Sequence, residues 1–294
     1  MTHLNVNAPK GTHANFGVDA QQNQPEVKGN AFTRFFSALF GRIRDTFASL
    51  GQKTATQPKH DNGGAEVSFS PTTSKKEINQ AKKDFRASEM YQAVMNGDSG
   101  IKKENLETGM KTILSRPECV SLMKEHGLTL GEAVGIFMYT TGDYTPINNQ
   151  LRSGEMTDDV RALNKEIVSG MAKLPSYEGP SLTRLTDLPK HIADDYQAGN
   201  TVEPGGYSST STITTGAMDF LGGEFLMRIA VKEGSGGKDV QAFSNKQDEN
   251  EILFPPGTKF KVLKRAEPEP DPYAIMGMPT KLESKKTTLT LQEV

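Results

Sequence analysis

The spacing of apolar residues divides the chain into stretches with different periods. Residues 1–30 show none; they are polar, are broken by Pro9, Gly11, Pro25 and Gly29, and read as disordered. From 31 to 50, Phe32, Phe35, Phe36, Leu39, Phe40, Ile43, Phe47 and Leu50 recur at steps of three and four. That spacing predicts an amphipathic helix with Arg34, Arg42 and Arg44 off its apolar face. Such a face suits an export chaperone, a membrane interface, or packing on the main domain, and the pattern leaves all three open. Residues 51–75, centred on Asp61-Asn62-Gly63-Gly64, read as a linker.

Helical spacing resumes at Lys75, with Ser74 as N-cap and Glu77 completing a capping box. Further helices are predicted over Leu106–Leu114, ending near Pro117, and over Glu118–His126, ending at Gly127. Another runs over Leu130–Tyr139, capped by Thr129. After Pro175 the runs become short and β-like: Ser181–Thr186, Glu224–Val231, Val240–Ser244, Glu251–Phe254 and Lys259–Leu263. Prolines at 268, 270 and 272 oppose helix and sheet, so residues 267–294 are expected to form a mostly exposed tail, with a last short strand at Thr287–Leu291. Helices first and strands later predict an α+β fold. The expected divisions are 1–75 for secretion or docking, 76–266 for one domain (helical to 174, β from 175), and 267–294 for the tail.

Composition narrows the function. Hydrophobic content is 35% of 294 residues, low for a wholly packed chain. The 34 basic and 36 acidic residues leave a net charge of −2, with no basic surplus to favour nucleic acid as a partner, and a monomer is expected. Cys119 is the single cysteine, so no internal disulfide forms. Residues 1–24 lack the apolar core of a general secretory signal, so export would need a different machine. The five histidines show no metal-ligand spacing, and no metal is expected. Gly234-Ser235-Gly236-Gly237-Lys238 lacks phosphate-loop spacing and reads as a turn. Cys119 with His126 or His191 lacks the flanking sequence of a thiol protease.

Three separated segments carry candidate chemistry. Arg184 sits inside the β run 181–186. Gly206-Tyr207-Ser208-Ser209-Thr210-Ser211 offers a strand of small hydroxyls able to bond backbone or ligand. Glu249 and Glu251 stand two apart before Ile252-Leu253-Phe254-Pro255. On extended backbone they would point to one side, where mutual repulsion raises one pKa and makes a base.

In this order the three segments resemble the Arg–Ser–Glu class of mono-ADP-ribosyltransferases, which includes bacterial toxins and type III secreted effectors. Tyr139-Thr140-Thr141-Gly142-Asp143-Tyr144-Thr145-Pro146-Ile147-Asn148-Asn149-Gln150-Leu151-Arg152 is similar to the helix-turn-helix of that class. The resemblance covers about residues 130–265.

It implies a cleft between two roughly perpendicular β-sheets that grips NAD+ in a bent shape, NAD+ being substrate rather than a resident cofactor. Arg184 would pair with the NAD phosphates, and Ser209 would hold the cleft strands and bond near the catalytic carboxylate. Thr210 and Ser211 would complete that strand, and Phe220 would cover the nicotinamide ring. Glu251 would be the catalytic carboxylate and Glu249 would orient or deprotonate the acceptor. The loop 244–250 would face the target protein, with Phe243 or Asn245 near its turn. The alternative frame Gln247-x-Glu249 stays open, although the apolar run after Glu251 favours Glu249-x-Glu251. Arginine is then the default acceptor, with threonine or another hydroxyl as the alternative. GTPases, actin or ubiquitin would be candidate host targets. The implied setting is a chain secreted by a bacterium and delivered into a host cytoplasm. The competing reading is an inactive chain acting as a binding module or as a membrane or chaperone adaptor.

Overall fold

A computed structural model describes residues 74–213, 223–268 and 286–294. The amphipathic segment 31–50 and Phe220 lie outside the described residues.

Helices α1 (Lys75–Ala87), α2 (Glu89–Asn96), α3 (Glu104–Ser115), α4 (Pro117–His126) and α5 (Leu130–Met138) come first. A π-turn (Tyr139–Asp143), α6 (Tyr144–Ser153) and α7 (Asp158–Lys173) complete the helical layer. The caps explain the boundaries. Ser74 Oγ accepts from the Glu77 amide at 3.2 Å while Glu77 Oε2 accepts from the Ser74 amide at 2.7 Å. Thr129 and Glu132 repeat this box ahead of α5. Gly127 ends α4 at φ 66°, a left-handed conformation that glycine adopts without strain.

All nine residues of α5 are buried, so the helix is apolar around its circumference and forms the centre of the layer. Its one acid, Glu132, meets Lys173 Nζ of α7 at 2.7 Å. The apolar pattern did not single out α2 or α7, yet α7 buries Val160, Leu163, Ile167 and Met171 at three- and four-residue steps.

The strands are β1 (Leu182–Thr186), β2 (Thr201–Val202), β3 (Ser208–Ser211), β4 (Phe225–Ala230), β5 (Lys238–Asp239), β6 (Glu251–Phe254), β7 (Phe260–Ala266) and β8 (Thr287–Glu293). A short helix α8 (Lys190–Ala193) follows β1. The hydrogen-bonded order is continuous: β2-β7-β8-β4-β1-β3-β6-β5. The expected two sheets are therefore parts of one mixed order. They meet at β1–β3, where Thr183↔Ser211 is the single opposed pair, against five pairs between β1 and β4.

Two sequence expectations are corrected here. Val240–Ser244 is a turn, not a strand; the pairing residues are Lys238 and Asp239, after which Val240 and Phe243 drop into the helical core. The last short strand expected at Thr287–Leu291 is present and two residues longer, and it is not part of an exposed tail. β8 alternates buried and half-buried residues and lies between β7 and β4, in parallel with β4. Its alternation is that of a strand with one face on a core.

Two apolar clusters flank the sheet. One joins the helices to Tyr207, Val240, Phe243 and Leu253. The other gathers Leu182, Tyr196, Ile229, Ile252, Phe254, Phe260 and Leu291. β6 serves both, because successive side chains alternate: Leu253 faces the helices while Ile252 and Phe254 face the second cluster. All four β6 residues are buried, and this fixes Glu251 at the strand's first position.

Candidate active site

Glu251 opens β6 at 5% exposure. Burial pushes its carboxyl up from the ordinary 4.5 to about 7, and the nearby Glu249 charge adds to the shift. Bonds from the Ser209 and Ser244 side chains and the Lys246 charge act the other way. The Ser244 hydroxyl lies 3.4 Å from Glu251 Oε2.

β3 supplies the hydroxyls. Ser209 pairs with Leu253 and Ser211 with Glu251 across the ladder, so Ser209, Ser211 and Glu251 share one side. Thr210 points the other way and donates to the Ile252 carbonyl at 2.7 Å. Ser211 Oγ donates to the Glu249 carbonyl at 2.6 Å and accepts from the Ile213 amide at 3.0 Å. Both serve the backbone, tying β3 to β6 and to the turn before it.

Arg184 arrives differently. Thr183 is opposed to Ser211, so Arg184 leaves β1 on the other side, shared with Leu182. The length of its side chain closes the gap: Nη1 donates to the Ser209 carbonyl at 2.6 Å. Burial lowers the Arg184 pKa, opposed by Tyr139, Tyr196 and Glu251, while Arg152 adds a like charge. Arg184, Ser209 and Glu251, remote in sequence, therefore converge at the β1–β3–β6 junction.

Glu249 ends a 3-10 turn, Gln247–Glu249, and Asn250 follows with φ 46°. Glu249 and Glu251 are thus not on extended backbone, as the two-residue spacing suggested. A left-handed residue between them brings the two carboxylates into electrostatic reach by a bend. Glu249 Oε1 pairs with Lys246 Nζ at 3.0 Å. Gln247 turns away, its Nε2 reaching Glu118 Oε1 at 3.3 Å and the Ala242 carbonyl at 3.4 Å. Of the two residues expected near the turn's tip, Asn245 is exposed, whereas Phe243 is fully buried in the helical core and has no face left for a target.

The π-turn and α6 add residues that the sequence offered only as part of a motif. Asn148 Nδ2 donates to Tyr139 Oη at 3.0 Å, and Asn148 Oδ1 accepts from the Tyr207 amide at 2.9 Å. The Tyr139 and Tyr207 rings lie 4.8 Å apart. Burial raises the Tyr139 pKa, and the phenol feels both Arg184 and Glu251. Arg152 lines a cavity of about 590 Å³ with Tyr196, Asn200, Val202 and Pro204. Neither Arg184 nor Glu251 lines it; it adjoins Arg184 through Arg152 and Tyr196. The Arg152 signal was legible, since it closes the Ile147-Asn148-x-x-Leu151-Arg152 pattern. Among the described residues no three metal-ligating side chains cluster.

The sequence profile described as ADP-ribosyltransferase exoenzyme matches residues 120–293, more than half of the chain. The chain belongs to the ADP-ribosyltransferase exoenzyme family. The match runs from within α4 to Glu293, so β8 is part of the exoenzyme domain. The NAD(+)--protein-arginine ADP-ribosyltransferase Tre1 of Serratia proteamaculans is 37% identical over 142 residues, 48% of this chain and 30% of that protein. Exoenzyme T of Pseudomonas aeruginosa is 32% identical over 136 residues, 45% of this chain and 28% of that one. The matched part therefore spans less than a third of these curated relatives. The type III effector XopAI from Xanthomonas axonopodis pv. citri has a similar structure, with TM-score 0.51 and 18% identity over 73% of this chain and 88% of that one. At that identity the likeness speaks to fold alone.

Proposed function

We propose that this exoenzyme domain cleaves NAD+ at the nicotinamide–ribose bond and transfers ADP-ribose to an arginine of a host protein. The observation that carries the reading is the junction itself: a half-buried guanidinium, a hydroxyl strand and a buried carboxyl meet where β1, β3 and β6 join. That Tre1 is a NAD(+)--protein-arginine ADP-ribosyltransferase supports the acceptor.

The roles follow from charge. Arg184 and Arg152 sit close enough to oppose each other's charge, a corner that attracts an anion such as the NAD pyrophosphate. The breaking bond develops oxocarbenium character on the ribose, and the Glu251 carboxylate stabilises that charge in the transition state. Ser209 holds the carboxylate in place, while Thr210 and Ser211 brace its strand. Glu249, at the turn beside Glu251, orients the incoming guanidinium and takes its proton. The way Gln247 is tied to Glu118 favours Glu249-x-Glu251 as the operative pair. Phe220 is proposed to cover the nicotinamide.

Labelled NAD+ with agmatine, an arginine mimic, and a host-cell lysate tests this. Wild type should label both acceptors; Glu251→Gln should lose roughly 100-fold or more in rate. Glu249→Gln should keep NAD+ hydrolysis and lose transfer. No label from wild type onto any acceptor, with no NAD+ hydrolysis, overturns the reading. We further propose that a bacterium delivers the chain into host cytoplasm, with residues 1–75 as the export and docking region. A reporter fused behind those residues should enter host cells, and a reporter left behind counts against it.

A further inference from the structure

The turn between Val240 and Asn250 is gripped by the helical layer at several independent points. Phe243 is fully buried among the helices. Arg116, half-buried just before α4, donates from Nη1 to the Ala242 carbonyl at 3.1 Å and the Ser244 carbonyl at 2.7 Å. Cys119 Sγ lies 3.0 Å from the same Ala242 carbonyl. The Asn245 amide donates to Thr140 Oγ1 of the π-turn at 2.8 Å. Ser244 is itself fully buried, its hydroxyl accepting from the Lys246 amide at 3.0 Å and facing Glu251 Oε2 at 3.4 Å.

We propose that Arg116 is a positioning residue for Glu251: by gripping the Ala242 and Ser244 carbonyls it fixes the turn that carries Ser244 and Glu249 to the Glu251 carboxyl. Arg116 acts through the turn. A charged donor on two carbonyls is stronger than a neutral one and holds the turn in one geometry. Without it, the five residues of turn between Phe243 and Glu249 rely on the Asn245–Thr140 bond, the Gln247 side-chain contacts and the bond from Gln241 Nε2 to the Gln247 carbonyl. The groups facing Glu251 are Glu249, Lys246 and Ser244 from the turn, Ser209 from β3, Arg184 from β1 and Tyr139 from the π-turn. Arg116 has leverage over the first three.

The kinetic consequence rests on the transferase reading; the titration of Glu251 does not. We would follow the Glu251 carboxyl carbon by NMR across pH in full-length wild type, Arg116→Gln, Arg116→Lys, Ser244→Ala and the Arg116→Gln/Ser244→Ala double variant, assigning it with Glu251→Gln. With Glu249→Gln as the common background, so that the raising charge carried by the same turn is removed, loss of one donor should move the titration up by roughly half a unit in Arg116→Gln and in Ser244→Ala, and by no more in the double variant. Arg116→Lys should sit between. NAD+ hydrolysis in Arg116→Gln should fall roughly 10-fold in kcat, with KM for NAD+ unchanged and the acid limb of the pH profile moved up. A Glu251 titration unmoved in Arg116→Gln overturns the proposal, even if the melting temperature drops. Should Arg116→Gln not fold, an unmoved titration in Arg116→Lys and Ser244→Ala overturns it equally. Moved titrations with no wild-type turnover would support the clamp and sink the transferase reading; wild-type turnover with unmoved titrations would do the reverse.

Discussion

At the scale of single residues the decisive quantity is the protonation of Glu251. Its carboxyl titrates near 7 in the fold and near 4.5 in an unfolded chain. The folded state therefore binds the extra proton between those values, and stability falls as pH rises from 4.5 to 7, levelling off above. Glu251→Gln removes the buried charge. It should be more stable than wild type at pH 8 by about 3 kcal/mol at most, and equal to it at pH 4.5. Urea titrations at the two pH values check this; an equal difference at both would sink it. The same ionisation should appear in the reaction, with NAD+ hydrolysis rising through pH 7 as the carboxylate forms. The two-residue spacing suggested a pKa raised by repulsion from Glu249; burial, which no spacing reveals, is the larger cause.

At the scale of elements, close approaches hold the site together. Gly206 precedes β3, and a Cβ there would lie 2.6 Å from Asn148 Oδ1. Asn148 has nowhere to go, since it already bonds Tyr139 and the Tyr207 amide. Gly206→Ala should cost about 2 kcal/mol in chemical denaturation and loosen β3 against α6. A wild-type midpoint would refute the contact. The glycine run at 234–237 has a related use. It is a turn, as read from spacing, and its Gly236 amide and Ser235 hydroxyl donate to the buried Glu293 carboxylate at 2.8 and 2.6 Å. The loop cradles an anion belonging to its own chain. Glu293→Ala should cost about 3 kcal/mol by stranding those donors, measured by thermal and urea melts. Helix caps and strand β6 were legible because cap and turn residues act locally. Helix α7 was passed over although its spacing carried the signal, and Val240–Ser244 misled because apolar residues in a buried turn mimic a strand.

For the whole molecule the last strand matters most. β8 pairs with β7 on one side and β4 on the other, six residue pairs each. Removing residues 287–294 would leave two inner edges unpaired and uncover Leu289 and Leu291, both buried in the second cluster. The truncated chain should fail to fold cooperatively by circular dichroism and lose NAD+ hydrolysis with it; a native melt would contradict the sheet order.

By itself the sequence determined that helices precede strands, several of the caps that bound them, and the order Arg184, Ser209, Glu251 by which the chain resembles its family. Those are local or ordered features, set by the side-chain chemistry of neighbouring residues. Tertiary structure alone decided that Arg184 leaves β1 on the far side and reaches Ser209 by its length, that Phe243 is core, that Arg116 grips the turn, and that β8 closes the sheet. Each depends on which distant segment packs alongside, and no residue carries that information until the chain has folded.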